Sequence, residues 1–114
     1  MLTIVAATML SMAAMKVDPL DDARKAFNNC MIETHNAAVS EKMSPSDFIK
    51  KTETACTTER TTYHSMMVKA ERSYGSTQKD AEQFASEEVQ MLIDSIVTAF
   101  NENADGGAKL TPEK

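Results

Sequence analysis

The two cysteines of this 114-residue chain, Cys30 and Cys56, stand at equal distances from one turn signal. A first helical pattern ends near Glu41 and Ser44-Pro45 starts another, so the chain turns about Met43. Cys30 lies thirteen residues before that point and Cys56 thirteen after it. Equal arms bring both sulfurs to one level of a helical hairpin, on its inward apolar side. A disulfide needs α-carbons about 4.4–6.8 Å apart, which close-packed helices can provide. Closing the 27-residue segment stabilises a fold by ~3.5 kcal/mol in the chain-entropy description. A small domain has about 5–15 kcal/mol in total. Two buried free thiols, or one reactive thiol, are the competing readings. No cation flanks Cys30 and it has no Cys-X-X-Cys partner, which counts against redox catalysis. The surrounding stretch NNCMIETHN, residues 28–36, therefore reads as one wall of a staple.

Helix punctuation surrounds this pair. Asp18-Pro19 offers an oxygen cap followed by proline at the first helical position. From there Leu20, Ala23, Phe27, Cys30, Thr34, Ala37 and Ala38 recur at helical spacing. Ser44 caps a second helix, with Asp47 placed for a reciprocal bond. Its face is Phe48, Ile49, Thr52, Cys56, Tyr63, Met67, Ala70 and Tyr74, and Gly75 ends it. Six threonines between positions 52 and 62 lower helix propensity, so this helix leans on tertiary contacts. Ser76 or Thr77 caps a third helix, with Ala81, Phe84, Ala85, Leu92, Ile96, Ala99 and Phe100 as its face. Three glycines and three prolines are too few for the hairpins of a sheet protein. The expectation is an all-α fold, an up-down-up three-helix bundle with one inter-helix disulfide. The bundle domain spans 15–103, followed by a disordered tail over 104–114.

The first fifteen residues carry no charged side chain, and Ser11-Met12-Ala13 supplies small residues where a signal peptidase reads. Residues 1–14 read as a signal peptide, although no Lys or Arg precedes the apolar run. The alternative is an ordinary apolar first helix. The run is too short to span a bilayer. Export places the mature chain in the periplasm or outside the cell, where disulfides persist.

The search for chemistry yields little. Net charge is −5, and the 12 basic residues are scattered among 17 acidic ones. No positive stripe exists to displace counterions from phosphates, so nucleic acid is excluded as a partner. His35 falls about 140° around the helix from Cys30 and should face water; His64 lies ~20 Å from its level. The two cannot share a zinc ion, which needs three or four converging ligands. His64 with Met66 or Met67 could hold Cu(I), but methionine at helical spacing is more often gap-filling core. No metal or cofactor is expected. Arg60 and Glu88 interrupt the apolar faces and are expected to pair at the core rim, with Tyr63 donating. The functional alternative makes Glu59 or Glu88 a general acid or base, yet no nucleophile or glycine-rich anion loop accompanies them. The expectation is a non-enzyme.

On the third helix Met91, Ile93 and Val97 flank the main stripe and widen its apolar arc beyond 100°. These three form the candidate surface for a protein or peptide partner, or for a second copy in a homodimer. A cysteine in the first helix, Ala55-Cys56-x-x-Glu59, then Gly75, Ala81 and Glu88, resembles small exported two-cysteine helical proteins of alphaproteobacteria. The resemblance implies a periplasmic bundle with a Cys30–Cys56 bridge and attaches no activity. A looser analogy, architectural only, runs to acid-stress chaperones of the HdeA type. The sequence thus suggests a binding module first. An acid-stress holdase triggered by Glu59 and Glu88 comes second, and a Met/His copper carrier third.

Overall fold

The computed structural model describes residues 18–114, so the expected signal peptide over 1–14 lies outside the described residues. Asp18 caps the first helix, α1 (Pro19–Ser40), its carboxylate accepting from the Leu20 amide at 3.0 Å. Ser44 caps α2 (Pro45–Thr54) by accepting from the Asp47 amide at 3.2 Å. Then come α3 (Thr57–Ser73) and α4 (Gln78–Asn103), the latter capped by the Thr77 hydroxyl at 3.1 Å from the Asp80 amide. The described residues are helical with one disulfide, as expected. Among the described residues there are four helices, not three.

The extra boundary falls inside the expected second helix. Ala55 is extended and Cys56 is left-handed at φ +58°, so α2 and α3 are two pieces of one return leg. The threonines supply a local reason. Hydroxyls of Thr52 and Thr57 donate to the Ile49 and Thr54 carbonyls at 2.6 and 3.1 Å, competing with the helical ladder.

Two helix ends share one motif. At α1, the amides of Lys42 and Met43 donate back to Val39 and Ala38; at α3, those of Gly75 and Ser76 donate to Arg72 and Glu71. Each is a Schellman turn with a left-handed residue after the cap, Lys42 at φ +54° and Gly75 at φ +99°. The second turn sets the register of α3 against α4. His64 and Ser86, eleven residues either side of Gly75, meet at 3.2 Å.

α1, α3 and α4 pack against one another, while α2 bridges α1 and α4. Phe27, Met31, His35, Phe48 and Phe100 are fully buried at the centre. Phe48 and Phe100 stack at 4.1 Å, and the His35 ring stands edge-on to both. The expected solvent-facing position of His35 is thus corrected. α1 meets three neighbours, so its buried arc widens to include Met31, Ile32, His35 and Val39, and Ala37 is left exposed.

The expected disordered tail over 104–114 is also corrected. It runs back along α1, with Asn36 exchanging two hydrogen bonds with the Leu110 main chain at 2.9 Å each. Asn29 does the same with the Glu113 main chain at 3.0 and 2.8 Å. Helical periodicity ends at Asn103, but these side-chain amides supply partners that no periodicity reveals.

Candidate functional site

The break at Ala55–Cys56 organises the most sharply built polar site. Cys30 and Cys56 are joined, their α-carbons 6.0 Å apart. Because α2 stops, its last carbonyls lose their helical donors. The Arg60 guanidinium fills the vacancy, donating to the carbonyls of Glu53 at 3.2 Å, Ala55 at 3.1 Å and Thr52. A cation at a helix C-terminus also opposes the negative end of the helix dipole. The guanidinium carbon sits 5.9 Å over the Phe27 ring. Arg60 does not pair with Glu88, which corrects the expected ion pair. The reason is the break itself, since free carbonyls lie nearer Arg60 than any carboxylate on α4.

Tyr63 and Glu88 line one cleft between α1, α3 and α4 together with Arg24, but Tyr63 does not donate to Glu88 as expected. Burial, and then the charge of Glu88, push the Tyr63 phenol above its ordinary pKa, with Arg24 pulling it down. Tyr63 itself is buried against Phe27, ring centroids 6.0 Å apart. Glu59 lies beside the disulfide, its carboxylate within 4.8 Å of both sulfurs. Joined sulfurs offer no thiolate, so this cluster is not a ready metal site.

A groove of about 470 Å³ opens between α2 and α4. Ile49, Ile93 and Val97 form its apolar wall, Arg60 lies at one end, and Glu53, Gln90 and Asp94 edge it. Ile49 is 45% exposed. The expected partner surface is therefore divided. Ile93 is buried, Val97 is half-buried, and both line the groove, whereas Met91, 63% exposed, does not. Much of the surplus arc goes into packing, because α4 contacts all three other helices.

His64 bonds Ser86 on α4, and Met67 is in the core while Met66 is half-buried. The polar residues that matter on α1 escaped the sequence reading. Asn28, Asn29 and Asn36 flank Cys30 in the NNCMIETHN stretch and bind the tail, while Arg24 grips the Glu113 carboxylate at 2.9 and 3.0 Å. One signal was available: Asn29 and Asn36 stand seven residues apart, about two helical turns, and so share a face. Among the described residues no helix is long and apolar enough to cross a membrane. Comparisons with protein-family models, curated proteins and solved structures find no match to this chain.

Proposed function

We propose that the protein is an exported, disulfide-tied helical module that binds a protein or peptide partner without performing chemistry on it. The observation that supports this reading is the α2–α4 groove, where Ile49 stands 45% exposed above Ile93 and Val97. Its size suits one or two apolar side chains. Its acidic rim, Glu53 and Asp94, selects a segment with Lys or Arg beside the apolar anchor. The Arg60 guanidinium donates to three carbonyls and keeps its charge at one end of the groove, so the basic residue of the segment is placed at Glu53 and Asp94. Periplasmic or secreted localisation belongs to the same proposal, as the setting in which the Cys30–Cys56 bridge persists.

Photo-cross-linking from position 49 in the native host tests the reading. A discrete adduct is expected from position 49 and not from Lys50, and Asp94→Lys with Glu53→Lys should abolish it. Equal labelling from both positions, in a chain whose helical content is unchanged, would sink the groove as a partner site.

An acid-opened holdase is the second reading, and one observation favours it. Glu113 holds the tail to α1, and the Arg24 hydrogen bond keeps its pKa below the ordinary glutamate range. The trigger in this version is Glu113 rather than Glu59 or Glu88. Dye-binding apolar surface appearing at about pH 3 and vanishing on neutralisation is expected; an unaltered surface at that pH removes the reading.

A further inference from the structure

We propose that one face of α1 is a binding site for extended peptide segments carrying an aliphatic side chain three residues ahead of a glutamate, and that the chain's own C-terminal segment holds it closed. Asn36 and Asn29 each exchange two hydrogen bonds with a main chain, at Leu110 and Glu113. The spacings match without distortion. Seven residues of helix rise about 10.5 Å, and three residues of extended chain span about 10 Å. Side-chain amides that read a backbone are indifferent to which chain supplies it, as in strand addition at a sheet edge.

Selectivity comes from the two ends of the track. The Glu113 carboxylate accepts from both Arg24 Nη atoms at 2.9 and 3.0 Å and from Asn28 Nδ2 at 2.6 Å. Asp21 holds the guanidinium in place, accepting from Nε at 3.2 Å and Nη2 at 3.1 Å. A forked, charge-assisted pair of this kind recognises a carboxylate better than any neutral group. At the other end Leu110 packs against the core. Thr111 and Pro112 between them are exposed, so their identities are free.

The resident segment is built to leave. Asp105 to Lys109 are exposed, and Gly106-Gly107 joins the segment to α4, with Gly107 at φ +72° and open space around it. Rotation at this joint frees residues 108–114 without disturbing the helix. An arriving segment competes with the tail, so its apparent affinity falls by the fraction of time the site is open. No residue of this face lines the α2–α4 groove, so the two proposals stand or fall separately.

Fluorescence anisotropy with a labelled synthetic octapeptide, Gly-Ala-Lys-Leu-Thr-Pro-Glu-Lys, tests the site. In the full chain carrying Leu110→Ala and Glu113→Ala the tail loses both side-chain anchors and keeps only its main-chain bonds to Asn29 and Asn36. Loss of amide protection at positions 110 and 113 verifies its release. The peptide is expected to bind that chain at least about tenfold tighter than the natural one, whose site is filled for roughly 90% of the time or more. Replacing the peptide's glutamate by glutamine should weaken binding at least about fivefold. Adding Asn29→Ala and Asn36→Ala to the released chain should abolish it. Equal affinity for both chains overturns the proposal. So does no binding to a released chain that keeps its helical dichroism and cooperative melt, or binding that survives loss of both asparagines. Hydrogen exchange gives an independent reading in the natural chain. Protected amides at Leu110 and Glu113 are expected, and fast exchange at both overturns the closed state.

Discussion

Arg60 illustrates how one side chain can be committed by the backbone around it. Three carbonyls converge on its guanidinium, from Thr52, Glu53 and Ala55. Arg60→Ala leaves these acceptors without their donor, and urea unfolding should show a loss of about 2–3 kcal/mol. Arg60→Lys should recover less than half of it, because a single ammonium cannot reproduce the fork. Glu88→Gln, by contrast, should change stability by no more than about 0.5 kcal/mol. A large effect of Glu88→Gln would restore the Arg60–Glu88 pair as the better description.

His35 makes the complementary case of a polar ring held by the core. It is fully buried, with Nδ1 at 2.8 Å from Asn36 Oδ1 and two phenylalanine rings edge-on to it. The same Asn36 Oδ1 also accepts from the Leu110 amide, so His35 and the tail share one acceptor. His35→Ala should cost about 2–4 kcal/mol through the cavity it leaves. It should also loosen the tail, seen as faster exchange of the Leu110 amide.

At the scale of elements, the informative feature is where helices stop. Lys42 and Gly75 occupy equivalent positions in two Schellman turns, and only one of them is glycine. A left-handed lysine costs about 1–2 kcal/mol in Cβ crowding, part of which glycine returns as chain entropy. Lys42→Gly should therefore raise stability by about 0.5–1 kcal/mol, measured as a shift in the urea midpoint at constant slope. Cys56 is left-handed where the return leg breaks, bonded to Cys30 and set between Phe48 and Tyr63, which both face the core. In a Cys30→Ala background, Cys56→Gly should be more stable than Cys56→Ala by about 1 kcal/mol. Equal stabilities would show that the break depends on the bridge and straightens without it.

At the scale of the whole molecule, the described residues close on themselves through two long-range ties: the disulfide between α1 and the return leg, and the tail along α1. They respond to different conditions. Reduction removes ~3.5 kcal/mol of chain-entropy stabilisation and leaves the tail contacts in place. Acid acts on the tail. The Glu113 pKa is depressed in the folded chain, chiefly by Arg24, so its contribution is complete above the unfolded value of about 4.3. That contribution is lost as pH falls through the folded pKa. Protection of the Glu113 and Leu110 amides, taken relative to their intrinsic exchange rate at each pH, should fall below about pH 4 while the α4 amides stay protected, and Glu113→Gln should show the lower protection already at pH 7.

Helix starts at Asp18, at Ser44 and at Ser76 or Thr77, the stop at Gly75 and the end near Asn103 were all legible, because caps and glycine act within four residues of chain. The disulfide was legible for a related reason: counting residues on either side of one turn is enough here because the break in the return leg falls only at the end of the count, at Ala55 and Cys56. Other features were not. Six threonines hinted at a weak second helix, but the place of the break shows only in the structure, where Cys56 is left-handed and Arg60 takes up the freed carbonyls. The orientation of His35, the division of Met91 from Ile93 and Val97, and the docking of the tail share one cause. Each depends on how many neighbours a helix has, and residue spacing along one helix carries no record of that number. Local chemistry along the chain thus determined most helix ends and the bridge from α1 to the return leg; only the packed assembly decided where that leg breaks, which polar side chains face inward and which strand of backbone they hold.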